Sequence, residues 1–146
     1  MTKRRIHIII IFIVYLYLIA SLLFLDRVPQ DYYDYNLVPF KIIKLWYNLI
    51  VYDSEVYFWY ALENLLGNII LFIPIGIFVP YIFPKQENYL IFTLTIISCV
   101  SLSELLQFIT KYGTGDIDDV ILNTAGALIG LVIYKTYFKV KHIKKG

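Results

Sequence analysis

A glutamate, two aspartates and three amides stand inside, or at the rim of, stretches that are otherwise aliphatic and aromatic: Glu104, Asp116, Asp119, Asn68, Gln107 and Asn123. Carboxylates beside amides can do three kinds of chemistry. Glu104 next to Asp119 would be a carboxylate pair sharing one proton, which suits general acid and base catalysis. Glu104, Asp116, Asp118 and Asp119, with amide oxygens, would hold a hard cation such as Ca²⁺ or Mg²⁺. The same groups would equally bind a polar headgroup without turnover. Residue types alone leave these open, so no cofactor or metal is assigned and enzyme status stays undecided. No Ser-His-Asp or Cys-His set is available. Cys99 is the single cysteine, which excludes an intrachain disulfide and a cysteine-zinc cluster.

Each polar residue also has a structural role open to it. Asp116 is a good helix N-cap, and Asp119 would favour the positive end of the helix dipole. Asp118 reads as a solvated charge at headgroup level. Asn64, Asn68 and Asn123 could simply cross-link helices. Glu104 has no capping role, and a submerged carboxylate is costly without a purpose.

The elements that must position these groups are membrane spans. The chain has 146 residues, of which 60% are hydrophobic, with a mean hydropathy of +0.70. The apolar excess falls in long runs, and a span needs about 20 residues. The expected fold is all-α: an integral membrane four-helix bundle forming one domain over 1–146, with spans at about 6–25, 61–83, 89–110 and 116–138. Pro74, Gly76 and Pro80 should kink or loosen the second span. Pro84 to Asn88 reads as a tight turn, and Gly113 and Gly115 as the breakers before the last span. Between the first two spans, Phe40 to Tyr52 reads as a short amphipathic helix lying in the interface, flanked by an aromatic belt that includes Trp46 and Trp59.

Charge sets the expected orientation. Nine of the 13 basic residues fall with the two termini and the 84–88 turn, including Lys3, Arg4, Arg5, Lys85, Lys135 and the lysine-rich tail. Arg27, Lys41, Lys44 and Lys111 fall on the other side. The positive-inside rule then places both termini in the cytoplasm of a multi-pass cell-membrane protein. His7 and His142 lie on that cytoplasmic side, away from the acidic groups. The lipid bilayer is the expected partner. Nucleic acid is not, because the basic tail is short and fits anionic headgroups.

With that topology, three spans carry a strongly polar side chain at similar depth. At about 1.5 Å per residue, Glu104, Asn123 and Asn68 lie roughly 9, 10 and 12 Å below the outer ends of their spans. Asp116, Asp119, Asn123, Gly126 and Gly130 form one helical stripe, acidic at its outer end and small at its inner end. Asn64 shares a face with Asn68, and Gln107 with Glu104. Polar groups this deep turn from lipid toward one another. The expectation is an outward-opening polar pocket among spans two, three and four.

Four stretches resemble the VanZ family, in order and in approximate spacing. They are Asn36-Leu37-Val38-Pro39-Phe40, the run from Asn68 through Pro74 to Gly76, Ser103-Glu104-Leu105-Leu106-Gln107-Phe108, and Gly115-Asp116-Ile117-Asp118-Asp119 continuing to Gly126. The resemblance implies a bacterial envelope protein, typically Gram-positive. It carries Asn36, Pro39, Asn68, Pro74, Glu104, Gln107, Asp116, Asp119 and Asn123 over as the residues of interest. It further implies lowered susceptibility to teicoplanin-type glycopeptide antibiotics, whose fatty acyl chain favours membrane association. The ligand would be the lipoglycopeptide or a cell-wall lipid precursor. Alternatives are an enzyme acting on a lipid-linked envelope substrate and a non-catalytic membrane assembly module. Many relatives carry an arginine just before the acidic stretch. Here Thr110 to Gly115 holds only Lys111, a point charge that lacks the bidentate fork.

Overall fold

In the computed structural model the described residues are 3–25, 28–41, 44 and 55–139. Helix α1 (Lys3–Ala20) is continued by a π-helical turn (Ser21–Leu25). Strand β1 (Tyr35–Asn36) follows, then α2 (Glu55–Ile82), a 3-10 turn (Pro84–Glu87), α3 (Tyr89–Thr110), β2 (Gly115–Asp116) and α4 (Ile117–Ile133), which a second π-helical turn continues (Tyr134–Lys139). Four helical segments are long and apolar enough to cross a membrane. The protein is therefore an all-α, multi-pass membrane protein.

Helix α2 starts at Glu55, six residues before the start expected from hydropathy. Its 28 residues rise about 42 Å, more than the roughly 30 Å hydrocarbon core, so its first turns extend past the apolar layer. The helix runs through both Pro74 and Pro80 without a break. Of the expected interfacial helix, the described residues show the Lys44 amide donating to the Phe40 carbonyl. Residues 42–43 and 45–52 of that element lie outside the described residues, as does the side chain of Asn64.

Helix ends follow local chemistry. The Asn88 side chain accepts from the Leu90 and Ile91 amides and caps α3. The same helix stops at Lys111, which adopts the left-handed conformation (φ 59°) and donates its amide to Phe108. The expected breakers, Gly113 and Gly115, take no positive φ. The turn is made by a lysine whose side chain is held. Its Nζ donates to the Asp31 carbonyl at 3.3 Å and lies 4.5 Å from the Tyr33 ring centre. Helix α4 starts at Asp116, whose carboxylate accepts from the Asp118 amide at 2.8 Å.

The bundle is organised around α4, the most buried of the four spans. Gly76, Gly126 and Gly130 let α2 and α4 touch backbone to backbone. A Cβ on Gly126 would fall on the Ile69 carbonyl, one on Gly130 on the Ile73 carbonyl, and one on Gly76 on the Ala127 carbonyl. Beside this seam, Phe72, Phe92, Ile96, Val100, Val120, Ala127 and Leu131 form the core. Helix α1 is the least buried span and leans on α2 through Phe12 and Phe78, whose ring centres are 5.4 Å apart.

Two ends are thereby defined. At one, Arg5 donates to the Ile82 carbonyl at 3.0 Å, Lys135 stands 3.5 Å over the Tyr89 ring, and Tyr134 donates to Glu87. At the other, β1 pairs in parallel with β2, Tyr35 opposite Gly115 and Asn36 opposite Asp116. This short pairing ties the connection after α1 to the loop before α4.

Candidate functional site

The strand pairing is the base of a buried polar cluster. Pairing in this register sets the Asn36 side chain against Asp116, and Asn36 Nδ2 donates to Asp116 Oδ1 at 2.9 Å. The same oxygen accepts the Asp118 amide, so one carboxylate both caps α4 and holds the strand. Six residues before the end of α3, Glu104 Oε2 accepts the Asp116 amide at 3.0 Å. Asn36, Glu104 and Asp116 are each 7% exposed. A carboxylate accepting backbone N–H groups in a buried setting is a strong, directional tie. Glu104 thus fixes the entry of α4 from the neighbouring helix.

Asp118 differs from its expected place. It is 1% exposed, not a solvated headgroup-level charge, and its Oδ1 accepts the Phe40 amide. Phe40 sits at φ 61°, a conformation unfavourable for an aromatic residue, and the bond to Asp118 helps hold it there. The first turn of α4 therefore holds two points of the preceding connection, Asn36 through Asp116 and Phe40 through Asp118. Helix-dipole attraction favours both carboxylates at this N-terminus.

The other polar residues have separate tasks. Asp119 accepts from Asn68 Nδ2 at 2.6 Å, which closes the α2–α4 seam above the glycines. Gln107 is 1% exposed and donates to the Leu23 carbonyl at 3.1 Å, which joins α3 to the end of the first span. Asn123 lies one turn from Asp119 and one from Gly126, so it belongs to the face turned toward α2. It is 3% exposed, and its Oδ1 has no hydrogen-bond partner among the described residues.

A cavity of about 480 Å³ opens beside this cluster. Helix α3 contributes Ser101, Glu104, Leu105 and Phe108, and the start of α4 contributes Asp116, Ile117 and Val120. Tyr35, Leu37 and Gly115 close the strand end. The cavity thus lies between α3, α4 and β1, and among the described residues none of α2 lines it. Of the six residues singled out by the sequence, Glu104 and Asp116 line it. Asn68, Gln107, Asp119 and Asn123 stand elsewhere. For Asn68, Asp119 and Asn123 the glycine seam explains this, because it brings α2 and α4 into backbone contact, whereas Gln107 is drawn to the Leu23 carbonyl. The walls are mainly apolar. The resemblance singles out Asn36, which bonds to the wall residue Asp116, and its stretch includes Leu37, whereas Tyr35 gives no sequence signal of its own.

Among the described residues, no three Asp, Glu, His or Cys side chains converge as ligands of one metal ion would. Lys111 is engaged with Asp31 and Tyr33, so an anion would have to displace those contacts to reach it.

Comparison with known proteins gives a consistent result. The VanZ/LLP1 family matches residues 8–139. Protein VanZ of Enterococcus faecium is 36% identical over 78 residues, which cover 49% of this chain and 44% of that protein. The match therefore spans less than half the length of this relative. No solved structure matches. The family match extends from α1 through the last π-helical turn and contains every residue of the polar cluster, so the chain belongs to the VanZ/LLP1 family.

Proposed function

We propose that this protein works in the bacterial cell envelope and lowers susceptibility to teicoplanin-type glycopeptide antibiotics, with both termini in the cytoplasm and the cavity in the outer leaflet. The observation that carries the reading is the cavity walled by Glu104 and Asp116, the two residues that also build the Asn36 cluster. It combines hydrocarbon-like walls with fixed carboxylates, which fits an amphiphile better than a soluble metabolite. The ligand is a lipoglycopeptide or a cell-wall lipid precursor. The 36% identity to a protein named VanZ supports the resistance side of the reading.

The test is teicoplanin susceptibility of a sensitive Gram-positive host expressing the wild type, Glu104→Gln or Asp119→Asn at matched membrane abundance, with vancomycin as the non-lipidated control. Teicoplanin-selective protection that disappears in Glu104→Gln supports the reading. Absence of protection by the wild type removes the resistance function and leaves another envelope role.

A second reading has its own observation. Glu104 and Asp116 both face the cavity, and two carboxylates on one apolar wall could do acid and base chemistry on a lipid-linked substrate. An envelope-lipid change that follows expression and vanishes in Glu104→Gln would select this reading.

A further inference from the structure

We infer that the cavity takes one hydrocarbon chain of a bilayer lipid, entering sideways from the membrane and lying along α3. The inference deepens the proposed function and rests on it only in treating this cavity as the ligand site; the resistance phenotype is not needed.

Shape is the first argument. Ser101, Glu104, Leu105 and Phe108 recur at spacings of three, one and three, which puts them on one face of α3. The seven steps from Ser101 to Phe108 rise about 10 Å, so the α3 wall of the cavity runs along the helix axis. A spanning helix runs near the membrane normal, which is also the direction of lipid chains. Ile117 and Val120 supply the facing wall.

Access is the second. Leu105 is 51% exposed and Leu37 is 70% exposed, so the walls reach the outer surface of the bundle. On the same helix, Leu102, Leu106 and Ile109 are 57%, 45% and 57% exposed and form the surface that lipid covers. The cavity mouth is continuous with that surface.

Occupancy is the third. A buried water needs two to four polar partners, and most of these walls offer none. Glu104 and Asp116 are committed to the Asp116 amide, Asn36 and the Asp118 amide. Left empty, an open cavity of about 480 Å³ would leave its lining atoms without dispersion contacts. A hydrocarbon chain supplies those contacts and requires no polar partner. A phosphate group does not suit the interior, because no Lys, Arg or His lines it among the described residues.

The experiment uses the full chain in phosphatidylglycerol vesicles containing a phospholipid with a photoreactive diazirine in mid-chain. Crosslinks are then mapped by mass spectrometry. Labelling should concentrate on Ser101, Leu105 and Val120 relative to Leu90 and Leu94, which are lipid-facing residues of the same helix outside the cavity. Filling the cavity with Leu105→Trp or Ser101→Trp should cut labelling at Val120 by about tenfold. Labelling at Leu90 should stay constant, and an unchanged melting temperature in mild detergent reports that the bundle remains folded. Equal labelling of cavity and control residues, or Val120 labelling unchanged in both folded variants, overturns the inference. Adding teicoplanin or vancomycin separates the two ideas. Displacement by teicoplanin alone links the chain site to the resistance reading. Cavity labelling that neither drug displaces keeps the lipid-chain site and counts against this cavity as the drug site.

Discussion

Asn36 and Asp116 are paired twice. They stand opposite each other in the parallel β1–β2 pairing, and their side chains are joined by a 2.9 Å hydrogen bond. The two residues are 80 positions apart, so this contact closes the connection between the first two spans onto the start of the last. It also sets Tyr35 and Leu37 as the strand end of the cavity.

Asn36→Ala should lower stability by about 1–3 kcal/mol, the usual cost of removing a partner from a buried acceptor of this kind. Asn36→Asp should cost more, because it sets a second carboxylate against Asp116. Thermal unfolding in mild detergent checks the order wild type, Ala, Asp. Equal stability of the three would show that the strand pairing alone holds this end.

Glu104 allows a split between charge and hydrogen bonding. Its Oε2 accepts the Asp116 amide, and a glutamine oxygen can accept the same bond. Glu104→Gln should therefore change stability little, whereas Glu104→Ala strands a buried amide and should cost about 1–3 kcal/mol. Melting curves for the two variants test this. A glutamine variant as unstable as the alanine variant would mean that charge, and not acceptance, supports the fold. A stable glutamine variant makes any loss of protection a statement about function.

The glycine seam gives the sharpest steric contrast. An alanine at Gly126 or Gly130 would put a methyl group into the carbonyl of Ile69 or Ile73 and force α2 and α4 apart. Each should cost at least about 1–3 kcal/mol, with reduced membrane abundance. Gly67 has open space around it, so Gly67→Ala should be neutral or stabilising by up to about 1 kcal/mol. Comparing the three at equal expression checks the seam. Matching behaviour of Gly67→Ala and Gly126→Ala would exclude it.

Much of this architecture was legible in the sequence because the bilayer imposes a length rule. Long apolar runs gave the four spans, and the spacing of Gly126 and Gly130 gave the close-packed face. The polar residues were legible as buried but not as partners. Shared depth suggested that Asn68, Glu104 and Asn123 converge. Depth fixes height only, and Asn68 meets Asp119 while Glu104 meets the Asp116 backbone. Asp118 read as a surface charge because nothing in its own helix shows that the Phe40 amide arrives from 78 residues away. The start of α2 was missed because Glu55 to Tyr60 is too polar and aromatic for a hydropathy criterion, although it extends the helix beyond the hydrocarbon layer.

Orientation is the prediction on which the outer-leaflet assignment depends. The fold separates two ends by direct contacts. Arg5 with Ile82 and Lys135 with Tyr89 mark one, and Asn36 with Asp116 marks the other. Gln30 belongs to the second end, because its amide donates to the Lys111 carbonyl at 2.8 Å. The first end carries most of the basic residues and should be cytoplasmic. Cys99 is the only cysteine, so a Cys99→Ser background accepts single reporters without interference. Tyr32 is 64% exposed near Gln30, and Lys85 is exposed in the turn between α2 and α3. On intact cells a membrane-impermeant maleimide should label Tyr32→Cys and spare Lys85→Cys, and permeabilisation should expose Lys85→Cys. The reverse pattern would turn the bundle over and put the cavity in the inner leaflet. An extracellular glycopeptide could not reach it there, so the resistance reading would fall while the lipid-chain site would stand.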